Sequence, residues 1–258
     1  MAGQSIASAG AQQRGAECVR VNHGRSVTES YNACGVFPCV VGHVPPARVH
    51  ESDAVTRIDA MPGNPETILT PYGPLPEVGE IRSMTRWGTP VMHAPQRLVT
   101  SFDAALRALA ADMVATMYAA EGVGLAACQI GEDVAMFVFD CPDASGTRTV
   151  GVVCNPVLTL PEGDERQLDV DDEGCLSFPG AFVECARPDW ARVDGVGLDG
   201  TPVTFSGDGL LARCLQHETD HTLGTVFGDR VAAKARKKLQ KQHDKAASQF
   251  PPAWPADG

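Results

Sequence analysis

The sequence predicts an α+β fold, in which an amphipathic helix precedes a run of strands and a second helix carries a histidine pair. Three observations carry this reading. Leu106, Leu109, Met113 and Met117 recur at helical spacing. Between residues 134 and 205, short β-rich runs are separated by Gly, Pro and Asp turns. The elements do not alternate strand, helix, strand as a parallel α/β sheet requires.

The elements follow in order. The first 75 residues hold scattered single apolar side chains among Gly, Pro, Ser and Ala, and Pro62, Pro65, Pro71, Pro74 and Pro76 block any long helix at their end. They read as an extension or linker, with Met61 or Met84 as alternative initiators and the apolar run 36–44 as a weak strand. A catalytic domain is expected over 76–246 and a short tail over 247–258. The first helix is expected over 101–120, capped by Thr100 or Ser101 and ended by Gly122 and Gly124. Strands are expected at 134–139, 152–158, 182–186 and 191–198, and Asp199-Gly200 turns the chain into another at 203–205. Ser206-Gly207-Asp208 opens the second helix, which runs to Leu223 and stops at Gly224. A basic helix covers 231–246, before Pro251, Pro252 and Pro255.

Composition excludes several classes. Hydrophobic residues make up 43% and charged residues 21%, ordinary globular usage. No run approaches the roughly 18 apolar residues of a membrane span. The N-terminus lacks the basic start and apolar stretch of a secretory signal, and Glu17 and Glu29 argue against a transit peptide. With 21 basic against 32 acidic residues, the net charge of −11 disfavours a general nucleic-acid binder. Nine scattered cysteines without a CxxC pair signal neither a disulfide framework nor a zinc ribbon, and a reducing cytoplasm is expected.

The chemistry concentrates in three segments. His217-Glu218-Thr219-Asp220-His221 is an HExxH. On a helix, residues i and i+4 share a face, so both imidazoles can reach one metal ion while Glu218 takes a proton from water. Leu210, Cys214, His217 and His221 continue one helical stripe, so the histidines face inward, where burial without a use is costly. A third ligand is needed. The position six residues after His221 is Phe227, not histidine, and no glutamate follows Glu218. Asp229, Asp244 and His243 remain downstream candidates, but Cys175, between the glycines of Glu173-Gly174-Cys175-Leu176-Ser177-Phe178-Pro179-Gly180, is the better one. The third segment, Gly122-Val123-Gly124-Leu125-Ala126-Ala127-Cys128-Gln129, suits a tightly packed backbone, with Gln129 able to donate to an oxyanion.

Together these segments resemble the peptide deformylase family, whose motifs GxGLAAxQ, EGCLS and QHExDH stand complete and in order at 122–129, 173–177 and 216–221. The resemblance covers about 81–246. It implies antiparallel sheets around a central metal-binding helix, with the basic helix C-terminal to it. It implies a metal-dependent hydrolase that removes the N-terminal formyl group from formyl-methionyl nascent polypeptides. One divalent ion is implied, Fe(II) in the cell, with Zn, Ni or Co able to substitute. By motif match, Cys175, His217 and His221 are the metal ligands and Glu218 is the general acid/base. Gln129 and the Leu176 N–H form the oxyanion hole. The methionine pocket is expected from Val123, Gly124, Leu210, Cys214 and His217, and an extended peptide is expected to pair along 180–183. Cys128 at the variable position is expected to raise oxidation sensitivity. Glu121 with Arg187 is the expected ion pair bracing the motifs, and Asp220 is expected to hold a basic neighbour.

Two other readings compete: an HExxH metallopeptidase, disfavoured by Cys175, and a non-catalytic protein keeping the fold, disfavoured because Glu218, Gln129 and Cys175 are all present. Seven of the 21 basic residues (Arg230, Lys234, Arg236, Lys237, Lys238, Lys241 and Lys245) crowd 230–245. This segment is expected to dock on the ribosome near the exit tunnel or, alternatively, to be a solvated helix. The expected location is the bacterial cytoplasm, with organellar import as the alternative, and no membrane partner.

Overall fold

A computed structural model describes residues 78–256 and the backbone of two short strands, β1 (Leu69–Thr70) and β2 (Gly73–Pro74). The weak strand expected at 36–44, and all of the expected extension but those four residues, lie outside the described residues.

The fold is α+β, as the element order required. A five-stranded antiparallel sheet runs in the order β3 (Gly124–Ala126), β4 (Met136–Pro142), β5 (Arg148–Thr159), β8 (Trp190–Val196), β9 (Pro202–Asp208). A separate antiparallel pair is formed by β6 (Leu168–Gly174) and β7 (Phe182–Pro188). Helix α1 (Ala104–Ala119) and helix α2 (Gly209–Thr222) contribute to different apolar clusters, with strands of the main sheet shared between them. The two-residue period of a strand shows this in β4: Met136 and Val138 join the α1 cluster, while Phe137 and Phe139 join the α2 cluster. Both faces are therefore covered, and β4 reads as a continuous apolar run rather than an alternating one.

Helix α1 begins three residues later than expected. Asp103 is its cap, its carboxylate accepting from the Leu106 N–H at 3.0 Å, rather than Thr100 or Ser101. Its end is also not made by glycine conformation. Glu121 takes the left-handed position with φ +54°, and Gly122 N–H closes on Met117 O at 2.9 Å, the Schellman pattern. The Asp199-Gly200 turn holds as expected, Gly200 having φ +82°. Strands β3 and β6 were not anticipated. The first is three small residues long, and the second, Leu-Asp-Val-Asp-Asp-Glu-Gly, carries four acids.

The basic segment divides into α3 (Phe227–Arg230) and α4 (Ala233–Ala246), and α4 packs on β7 through the cluster of Phe178, Ala181, Val183, Phe227 and Leu239. The chain end returns to the domain: Met84 N–H donates to Trp254 O at 2.8 Å, and Trp254 packs on the α1 cluster. No helix among the described residues is long and apolar enough to cross a membrane.

Candidate metal centre

Helix α2 supplies two of the three donors. Every residue from Leu211 to Thr222 is buried, including Gln216, His217, Glu218, Asp220 and His221. So polar a helix is stable in the interior only because its side chains find partners. Gln216 donates to Pro188 O at 2.9 Å, and Thr219 donates back to Leu215 O at 2.7 Å. Asp220 accepts from Arg187 at 3.0 Å and from Arg230 Nε at 3.0 Å, so it braces two basic groups.

The third donor comes from the turn between β6 and β7, which the second motif forms. Phe178 N–H closes the turn on Cys175 O at 2.8 Å. The sulfur of Cys175 then lies 3.4 Å from His221 Nε2, and the two Nε2 atoms of His217 and His221 are 3.1 Å apart. The donor atoms of Cys175, His217 and His221 all fall within 4.8 Å of one another, a set able to hold a metal ion. The donors fit one: a sulfur and two imidazole nitrogens suit a borderline divalent cation.

A buried carboxylate fixes His217. Its Nδ1 bonds Glu173 Oε1 at 2.7 Å, which turns Nε2 towards Cys175 and His221. Glu173 accepts three further bonds, two from Arg187 at 2.7 Å and one from Arg213 at 3.0 Å. Burial works to raise Glu173, but Arg187 and His217 hold it well below the usual carboxylate range. Burial lowers His221, with His217 adding to the effect, so His221 stays neutral, as a ligand must.

The expected pairing of Glu121 with Arg187 is not present. Glu121 is exposed at the end of α1, and Arg187 is turned inward on β7 between Glu173 and Asp220. Arg213, which sequence reading did not single out, donates to Glu173, to Cys185 O at 2.8 Å and to Asp169 at 2.9 Å. Its signal is an arginine on the apolar stripe between Ala212 and Cys214.

Glu218 stands beside Gly124 and Cys214. One of its oxygens, Oε2, is buried with no hydrogen-bond partner among the described residues. Burial pushes its carboxyl up to about 7, close to where a group that takes and returns a proton works best. Gly124 faces the same carboxylate so closely that a β-carbon there would lie 2.6 Å from Oε1. Cys214 donates to Val123 O at 3.6 Å, and Val123 and Leu210 flank the α2 cluster beside it. Val123 and Gly124 are thus brought against Cys214 and Glu218.

Gln129 is pinned by Ala126 N–H, which donates to its Oε1 at 2.8 Å. Its amide nitrogen is turned towards Cys175 Sγ at 3.7 Å and Ser177 Oγ at 3.4 Å. Leu176 packs its side chain against Gly122, where a β-carbon would lie 2.5 Å from Leu176 Cδ1. Cys128 does not match its expected oxidation sensitivity. It is fully buried behind the His221 carbonyl, and desolvation, with Glu218 and Cys175 nearby, holds its thiol protonated.

Comparison with known proteins agrees with this geometry. The family model for polypeptide deformylase matches residues 81–237, which contain all three motifs. Peptide deformylase 1 of Streptomyces avermitilis is 49% identical over 68% of this chain and 81% of its own. A peptide deformylase of Mycolicibacterium paratuberculosis is 47% identical over 61% of this chain and 86% of its own. Among solved structures, a peptide deformylase from Legionella pneumophila superposes with TM-score 0.58 at 34% identity, over 66% of this chain and 96% of that one.

Proposed function

The chain belongs to the polypeptide deformylase family, and from that premise we propose how its residues remove the formyl group from formyl-methionyl polypeptides. The protein is a metal-dependent hydrolase that releases formate from the N-terminus of nascent chains. The observation that carries the assignment of roles is the meeting of Cys175, His217 and His221 beside Glu218, whose Oε2 is buried with no partner among the described residues.

Cys175, His217 and His221 would hold the divalent ion, Fe(II) in the cell, with Zn, Ni or Co able to replace it. When bound, such an ion acidifies water and polarises a carbonyl. Glu218 accepts the proton of the attacking water as its oxygen bonds the formyl carbon. Charge then grows on the formyl oxygen, where the Gln129 amide and the Leu176 N–H donate. A single such donor is worth roughly 100- to 1,000-fold in rate. When the C–N bond breaks, Glu218 returns the proton to the leaving amine. Gly124 brings the backbone against Glu218, and Val123, Leu210 and Cys214 with His217 wall the methionine side chain. The peptide runs extended along 180–183.

The catalytic unit is 76–246, with 1–75 outside the chemistry. The bacterial relatives support a bacterial cytoplasmic location. Exposed Lys234, Lys237, Lys238, Lys241 and Lys245 on α4 support docking on ribosomal RNA near the exit tunnel, whereas Arg230 is spent on Asp220 and Arg236 bonds Gly228 O at 2.7 Å. Formate release from formyl-Met-Ala-Ser, with no cleavage of the unformylated peptide, tests the reading. Internal cleavage without formate would favour the metallopeptidase alternative.

A further inference from the structure

A second cavity lies where residues 86–88, the turn after Cys175 and helix α4 meet. Its volume is about 520 Å³, within the range of small-molecule sites. Its lining includes Arg86, Trp87, Phe178, Arg236, Lys237 and His243, and among the described residues no carboxylate lines it. Four of these six carry or can carry positive charge, on a molecule whose net charge is −11.

Arg86 is the telling residue. Its Nη2 donates to two backbone carbonyls, Phe250 O at 3.1 Å and Pro251 O at 2.9 Å. Its Nη1 is shut off from solvent with no acceptor among the described residues. The guanidinium carbon stands 5.6 Å from the Trp254 ring centre. None of these partners carries a negative charge, so among the described residues Arg86 is a half-buried cation without a counter-ion. A charge left so is costly unless an anion compensates it. Arg236 donates its Nε–H to Gly228 O at 2.7 Å, and its one acidic contact among the described residues is a long one to the half-exposed Asp229, at 3.5 Å; Lys237 is exposed.

The aromatic wall is equally organised. Trp87 meets Phe178 edge-on at 4.5 Å, and His243 stacks on Phe178 at 4.5 Å while bonding Pro179 O at 2.9 Å. Cations beside aromatic rings form the combination that holds a phosphate together with a planar base.

We propose that this cavity is a binding site for a phosphate group carried on a nucleotide, held by Arg86, Arg236 and Lys237 beside Trp87. Its lining includes none of Cys175, His217 and His221, and it does not depend on their roles. The phosphate can belong to a free nucleotide or to an RNA strand, and the titration separates the two.

Calorimetric titration of the metal-loaded full chain at low ionic strength with AMP, inorganic phosphate and a short oligouridylate is the test. Saturable binding of AMP and phosphate assigns a free ligand. Binding of the oligonucleotide alone, falling steeply with salt, assigns the RNA backbone. In either case Lys237→Gln with Arg236→Gln weakens binding roughly tenfold or more. Arg86→Gln does the same, and the exposed Lys237 carries the test if that variant loosens 250–251. No saturable binding of any of the three overturns the proposal. So does unchanged affinity in the Lys237 and Arg236 variant, which would place the anion at the metal centre instead.

Discussion

Replacing Gly124 by alanine isolates the geometry of the proposed proton carrier. Gly124 does not sit in the left-handed backbone region, so the substitution acts through space alone. The new β-carbon would lie 2.6 Å from Glu218 Oε1, 2.9 Å from Glu218 Cδ and 2.8 Å from Cys214 Sγ. Comfortable carbon contacts begin near about 3.5 Å, so the carboxylate has to retreat by roughly 1 Å. It is the free end of a side chain, so the fold tolerates this. Overpacking of this kind costs about 1–3 kcal/mol, a loss of several degrees in Tm. Catalysis is less tolerant, because a displacement of about 1 Å can cost on the order of 100-fold. The expected result is kcat/KM for formate release down about 100-fold, with one metal ion per chain retained. Turnover within twofold of the parent would show that Glu218 does not work from where it stands beside Gly124.

Other perturbations reach the remaining parts of the site. Glu173→Ala leaves Arg187 and Arg213 buried without their shared carboxylate and His217 without its orienting acceptor. Urea unfolding should then show a loss of about 3–5 kcal/mol, and metal titration an affinity lower by about 10- to 100-fold. Cys175→Ser should lower the metal content of purified protein, read by elemental analysis, and a full complement of metal would remove Cys175 from the ligand set. Reversing the charges of Lys238, Lys241 and Lys245 should reduce ribosome co-sedimentation at low salt, and equal sedimentation would leave α4 a solvated helix.

Much of this was legible in the sequence because each motif carries its own local physics. The i, i+4 histidines had to share a face of α2, and the stripe through Leu210 and Cys214 placed that face inward. The glycines flanking Cys175 marked a backbone able to come close to a ligand, and they stand at the connection between β6 and β7. What was not legible depends on contacts distant in sequence. Arg187 was matched with Glu121, but the inward-facing residues of β7 alternate Val183, Cys185, Arg187, so its partners are buried carboxylates on β6 and α2. Strand β6 gave no strand signal because it belongs to a two-stranded pair with one face in water, where acidic residues replace the apolar alternation. Arg213 gave little signal, since its reason for burial, Glu173, lies 40 residues away. The cap of α1 was misplaced for the opposite reason: Thr100 and Ser101 are themselves local capping residues, but it is the Asp103 carboxylate that reaches the Leu106 N–H.

The central claim is that Glu218, adjacent in sequence to a ligand but not itself one, moves the proton in formyl hydrolysis. Glu218→Gln tests it with a nearly isosteric side chain that cannot accept that proton. Metal content and formate release from formyl-Met-Ala-Ser are measured on the same preparation. The account predicts metal content equal to the parent protein with formate release lost by at least about 100-fold, the scale of a general acid–base contribution. Near-parental formate release from a fully metallated Glu218→Gln protein would contradict it.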